Sequence, residues 1–134
     1  MDANSTYLFT YGTLMQGFNN PFAEQLHRNS EWEEKGSFPG SLFLISWYPG
    51  AVFDPNATSK VHGEIYRLFT PEALIPELDV YEDVFEDEKT SLYLRKTVSI
   101  TRESGRMVDC WVYLYNQPVT GLPLIEDGRF KRVD

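Results

Sequence analysis

The chain has 134 residues, 42% of them hydrophobic and 15% aromatic, which is material for one compact domain spanning 1–134 with a substantial core. Its formal charge of −8 argues against a nucleic-acid partner and against an anionic membrane surface, both of which are held mainly by lysine and arginine. Apolar runs such as 42-LFLI-45 are too short to span a bilayer, and 1-MDANSTYLFT-10 lacks the basic and apolar regions of a signal peptide, so a cytoplasmic protein is expected.

In chain order, residues 6–11 read as a first strand that ends at Gly12. A short helix is expected over 20–28, with Asn20 as its cap, Pro21 in its first turn, and Phe22 and Leu26 on one face. Residues 31–46 are mixed, with a Pro39-Gly40 turn followed by an apolar strand. The turn-rich segment 47–59 holds a short extended piece, Ala51-Val52-Phe53. A strand follows over 60–69. Thr70 and Pro71 then start a helix, which Pro76 should divide into 71–75 and 76–81, because an interior proline removes a hydrogen bond and clashes with the preceding turn. Residues 92–103 and 106–116 make a hairpin around Ser104-Gly105, and the Pro/Gly-rich tail 117–134 lies over the domain as a loop. Strands dominate without βαβ alternation. The expected class is α+β, with a small mixed, barrel-like sheet and short helices around it.

Much catalytic machinery is missing from the sequence. It has no Walker-type loop, no G-x-G-x-x-G and no G-x-S-x-G elbow. Cys110 alternates with Val108 and Val112 and reads as a core thiol. His27 reads as an exposed helix-end residue and His62 as a strand residue; 35 positions apart, they do not make a metal site. Carboxylates remain. The run 77-ELDVYEDVFEDE-88 has seven acids in twelve positions, which ordinarily makes a solvated helix end. Within it, however, Asp79, Glu82 and Asp83 share a helical face, and like charges there raise a carboxyl pKa. Tyr81 and Val84 can partly desolvate Glu82, making it a candidate general base. The turn Tyr11-Gly12-Thr13-Leu14 offers the complementary feature, successive N–H groups at a strand end that can hold an anion or an oxyanion. A nest plus one base, with no nucleophile of its own, suits a substrate that carries its own nucleophile.

With these residues in hand, the sequence resembles the γ-glutamyl cyclotransferase-like superfamily, nearest its γ-glutamylamine cyclotransferase branch. The resemblance runs in order through Tyr11-Gly12-Thr13-Leu14 with Gly17, Gly40 with Leu42, Tyr48-Pro49, Val61 with Gly63-Glu64-Ile65-Tyr66, Leu78-Asp79, Tyr81-Glu82, Tyr93, Arg95 and Val112-Tyr113. The closing Ile125-Glu126-Asp127-Gly128-Arg129-Phe130 is similar to the family's Ile-x-x-Gly-Asp-Trp, with Arg and Phe in the last two places.

The resemblance implies a barrel-like α+β domain, Glu82 as catalytic acid/base, and a substrate-binding loop of Tyr11, Gly12, Thr13 and Leu14. Tyr93 and Arg95 match the pattern as further substrate contacts, although Arg95 can equally brace the sheet or the acidic segment. No cofactor or metal is implied. The partner is a small-molecule γ-glutamyl amide, either a γ-glutamylamine or a γ-glutamyl amino acid, from which ring closure releases 5-oxoproline. The turn holds either the oxyanion or the substrate carboxylate. One departure stands out: Asp83 occupies a position that is often Gly in the family. Glu64 is a second carboxylate, read as an outward-facing strand residue. The competing expectation is a non-catalytic binding or interaction domain on the same fold.

Overall fold

A computed structural model describes residues 7–131. The elements are β1 (Tyr7–Thr10), α1 (Pro21–Arg28), β2 (Ser30–Leu44), β3 (Pro49–Phe53), β4 (Lys60–Leu68), α2 (Pro71–Tyr81), a 3-10 turn (Glu88–Thr90), β5 (Tyr93–Arg102) and β6 (Met107–Tyr115). The strand order is β3-β2-β4-β1-β6-β5, and β2 also pairs with β5. That second pairing closes five strands into a barrel and leaves β3 as an added strand beside β2. The β1–β6 pair is parallel and the other pairs are antiparallel, so the sheet is mixed, as expected for the α+β class.

The strand alternation sorts side chains into two cores. Phe9, Ile65 and Val112 join Phe38, Val98 and Cys110 in one cluster. Their chain neighbours Leu8, Tyr66 and Tyr113 join the other, with Ala23 and Leu26 of α1 and Leu74, Ile75 and Leu78 of α2. Both faces of β1, β4 and β6 are therefore covered, which explains why Leu8 and Phe9, adjacent in β1, are both buried. Cys110 is fully buried, and burial pushes its thiol up to about 12, so it is an inert core residue.

Two expectations are corrected. Pro39-Gly40 does not turn the chain: β2 runs through it as one 15-residue strand. The dipeptide marks a change of partner instead. Up to Pro39 the strand pairs with β4, and from Gly40 it pairs with β3. Proline's missing donor falls where one ladder gives way to the next. Likewise, α2 is one helix and not two pieces. Pro76 is exposed, as is Glu72, whose carbonyl loses its donor, so water can serve that carbonyl. Burial of Leu74, Ile75 and Leu78 holds both halves of the helix.

The tail crosses the barrel as expected. Ile125 N–H donates to the Leu42 carbonyl (2.8 Å), Leu44 N–H to Pro123 (2.9 Å) and His62 N–H to Gly128 (2.8 Å). His27 is only partly exposed, contrary to its reading as a helix-end surface residue: its ring stacks on Tyr66 and its Nε2 lies 2.8 Å from the Leu14 carbonyl.

Candidate active site

The site begins at the end of α2. Glu82 is the C-cap, and Asp83 follows at φ 54°. Asp83 N–H donates to the Val80 carbonyl (3.2 Å) and Val84 N–H to Asp79 (2.9 Å). This pair of bonds is the Schellman ending, which calls for a left-handed residue at Asp83, usually glycine. The family's frequent Gly there thus has a backbone reason, and Asp83 meets the same demand at a steric cost. The ending stops the helix so that Glu82 lines a pocket of about 160 Å³.

The pocket is mostly aromatic. Tyr11, Tyr48, Tyr81, Tyr93 and Tyr113 line it, and Trp47, 69% exposed, stands at its rim. Among the described residues, none hydrogen-bonds the Glu82 carboxyl. Burial raises that carboxyl to about 8, with Asp83 and then Asp79 adding smaller upward pushes. The sequence reading put like charge first; desolvation is the larger cause. Asp79 in particular is engaged elsewhere. Its Oδ1 accepts from Arg95 Nε (2.9 Å) and the Tyr113 hydroxyl (2.7 Å), and its Oδ2 accepts from Arg95 Nη2 (3.1 Å).

The structure brings Tyr11, Gly12 and Thr13 to the same pocket as Glu82. The buried Tyr11 hydroxyl donates to the Tyr113 carbonyl (2.6 Å) and accepts from Ala51 N–H (3.1 Å), tying β3 to β6 beneath the pocket. Gly12 packs on Pro49, whose Cγ would lie 2.9 Å from an added Cβ. Its missing side chain therefore admits the pocket wall as well as any ligand. Thr13 Oγ1 and the Tyr81 hydroxyl are 2.7 Å apart, linking the turn to α2. No hydrogen bond among the described residues engages the N–H groups of Gly12 and Thr13. A network behind the turn holds it: Gln16 N–H donates to Glu64 (2.9 Å), as does the Tyr66 hydroxyl (2.8 Å), and Tyr66 packs on His27. Glu64 is thus a brace for the turn and does not line the pocket.

Leu14 is buried in the helix-side core and is not a lining residue. Tyr93 does line the pocket, with its hydroxyl donating to the Pro49 carbonyl. Arg95 does not line it. Its guanidinium pairs with Asp79 and sits 4.5 Å from the centre of the Trp111 ring, which is the bracing alternative. Sequence reasoning gave Tyr81 only a desolvating role beside Glu82 and gave no site role to Tyr48, Pro49 or Tyr113, although each lies in a motif that carried the resemblance. The available signal was their position, at strand starts, at strand ends and beside Glu82.

The fold and pocket define a closed-barrel protein with a cavity in which a buried carboxyl, Glu82, has no hydrogen-bond partner among the described residues. Residues 8–132 match the family model for γ-glutamyl cyclotransferase, AIG2-like proteins, and the chain belongs to that family. The γ-glutamylcyclotransferase family protein YtfP of Escherichia coli strain K12 is 31% identical over 128 residues, covering 90% of this chain and 92% of YtfP. The crystal structure of an AIG2-like protein from Mus musculus matches with a TM-score of 0.70 at 25% identity, over 90% of this chain and 86% of that one. YkqA of Bacillus subtilis also matches at TM-score 0.70 and 25% identity, over 93% of this chain but 39% of YkqA, so the chain spans about two fifths of that relative.

Proposed function

We propose that this protein is a cyclotransferase that releases 5-oxoproline from a γ-glutamyl amide, with Glu82 acting first as base and then as acid. The observation that carries this reading is the Glu82 carboxyl: unpartnered, raised to about 8, and in one pocket with the unengaged amides of Gly12 and Thr13. A free α-ammonium has a pKa of about 8. Proton transfer from it to Glu82 is then nearly balanced in free energy, the condition under which general base catalysis is effective. The freed amine attacks its own γ-carbonyl and a five-membered ring closes. The amides of the turn stabilise either the oxyanion or the substrate carboxylate. Glu82 returns its proton to the departing nitrogen as the amide C–N bond breaks. The products are 5-oxoproline and a free amine, no water is consumed, and no covalent enzyme intermediate forms.

The test is a panel of γ-glutamylamines, γ-glutamyl dipeptides and glutathione, read by 5-oxoproline release. Turnover of at least one substrate is expected, with loss of roughly 10²–10⁴-fold in Glu82→Gln. Wild-type turnover in Glu82→Gln would remove Glu82 from the mechanism. Saturable binding without turnover across the panel would instead make the domain a γ-glutamyl-binding module.

A further inference from the structure

A second cavity, of about 380 Å³, shares no lining residue with the first. It opens where β2 lies between β4 and β5, with residues 129–131 of the tail along one side. Its lining includes Gly36 and Gly63, a facing pair across β2 and β4 whose added side chains would meet Ile100 and Phe9 on the core side of the sheet.

Cations outnumber carboxylates in the lining of this cavity. Lys35, Arg102, Arg129 and Lys131 line it, opposed by Glu64 and Glu103, in a protein of net charge −8. Two of the cations are already neutralised, Arg102 by Glu34 (3.0 Å) and Lys131 by Asp127 (3.0 Å). Glu64 is satisfied by Gln16 N–H and the Tyr66 hydroxyl. Lys35 and Arg129 have no ion pair among the described residues. Ser37 supplies a hydroxyl and His62 a ring whose protonation is disfavoured by burial first and by Arg129 and Lys60 next. Met15 and Phe130 close the rim, with Phe130 stacked on Phe18 at 5.6 Å.

Arg129 is held there by the fold. The Gly128 carbonyl accepts from His62 N–H, and Gly128 itself has φ 68° with an added Cβ only 1.8 Å from the Lys60 carbonyl oxygen. No other residue fits that contact, so the residue after it is fixed at the cavity edge.

We propose that this cavity binds a compact dianionic oxyanion, with the Arg129 guanidinium and the Lys35 ammonium as its charged contacts and Ser37 and His62 as its neutral ones. A guanidinium fork matches two oxygens of a phosphate or a carboxylate, and a nearby ammonium adds a second charge. The source of the oxyanion is either a phosphoryl group or a dicarboxylate, and the experiment separates them.

The two histidines make a built-in control, since His27 is engaged by Leu14 and Tyr66. Imidazole proton signals of the whole chain are followed by NMR during separate titrations with inorganic phosphate and with succinate, against sodium chloride at matched ionic strength. Saturating movement of the His62 signals, larger than that of His27, is expected with at least one of the two probes. Phosphate alone identifies a phosphoryl ligand, and succinate alone a dicarboxylate. Arg129→Glu and Lys35→Glu should each raise the apparent Kd at least about tenfold, and Arg129→Lys, which keeps the charge but loses the fork, should fall between Arg129→Glu and the wild type. Both side chains are exposed, and Arg129→Gln provides a milder variant should a charge reversal fail to fold. Movement no greater than with chloride, or movement that survives loss of Arg129 and Lys35, overturns the proposal. Neither residue belongs to the Glu82 pocket, so 5-oxoproline formation does not enter the readout.

Discussion

Glu82 lies where a carboxylate is costly to keep ionised, and that cost has a direction in pH. Its folded value, about 8, exceeds the ordinary 4.5. The native state therefore binds more protons than the unfolded state between those values, and Glu82 lowers stability progressively as pH rises through that window. Glu82→Gln removes the penalty. It should match the wild type near pH 4.5 and exceed it by up to about 4 kcal/mol at pH 8 and above, seen as a rise in Tm of about ten degrees or more. Equal melting of the two proteins at pH 8 would mean that the carboxyl is not desolvated. Asp83 concerns the same group from outside. Its left-handed backbone favours glycine, and its charge opposes ionisation of Glu82. Asp83→Gly should gain about 0.5 kcal/mol, the relief of left-handed strain less the added freedom of the unfolded chain. It should also move the acidic limb of the pH–rate profile to lower pH, because the carboxylate form of Glu82 then persists further down. A limb that stays in place would show that the Asp83 charge does not reach the pocket.

At the scale of elements, α2 delivers Glu82, and β5 and β6 anchor α2. The anchor is Asp79, held by Arg95 from β5 and by Tyr113 from β6. Both members of the ion pair are partly buried, with side chains 25% and 21% exposed, so removing one leaves a charge poorly hydrated. Arg95→Met should cost about 2 kcal/mol in chemical denaturation, and adding Asp79→Asn should recover part of it. Simple additivity of the two losses would deny the coupling. Local signals made much of this architecture legible. Asn20-Pro21 opens α1 with the Asn20 side chain accepting from Ala23 N–H, and Ser104-Gly105 turns the expected β5–β6 hairpin. Two prolines misled for one physical reason. Pro39 and Pro76 each remove a donor, but one lies where β2 changes partner and the other faces water, so neither ends its element. The roles within the site were legible only as alternatives. Both a bracing and a ligand-contacting arginine fit Arg95 on β5 opposite Tyr113, and the structure pairs it with Asp79.

For the whole molecule, a barrel-like sheet was legible in the sequence, but not which strand edges meet to close it. The β1–β6 and β2–β5 pairings join residues far apart in the chain, and no local pattern announces which edges meet. The pocket inherits that non-locality, since Tyr11 bonds to Tyr113 across 102 positions and Thr13 to Tyr81 across 68. The tail is a separate case. It is attached to the barrel by hydrogen bonds at Leu42, Leu44 and His62 and by the partly buried Ile125 and Phe130, and contributes no residue to the Glu82 pocket. Such a segment can open without the barrel unfolding. Gly128→Ala tests this, because the new methyl would collide with the Lys60 carbonyl and the backbone would be strained at φ 68°. If the tail opens on its own, the substitution releases it locally. The His62 amide, whose acceptor is Gly128, should then lose hydrogen-exchange protection by about tenfold or more, while amides of the β5–β6 ladder keep theirs and any turnover at the Glu82 pocket persists. Equal loss of protection in the ladder would show instead that tail and barrel form one cooperative unit.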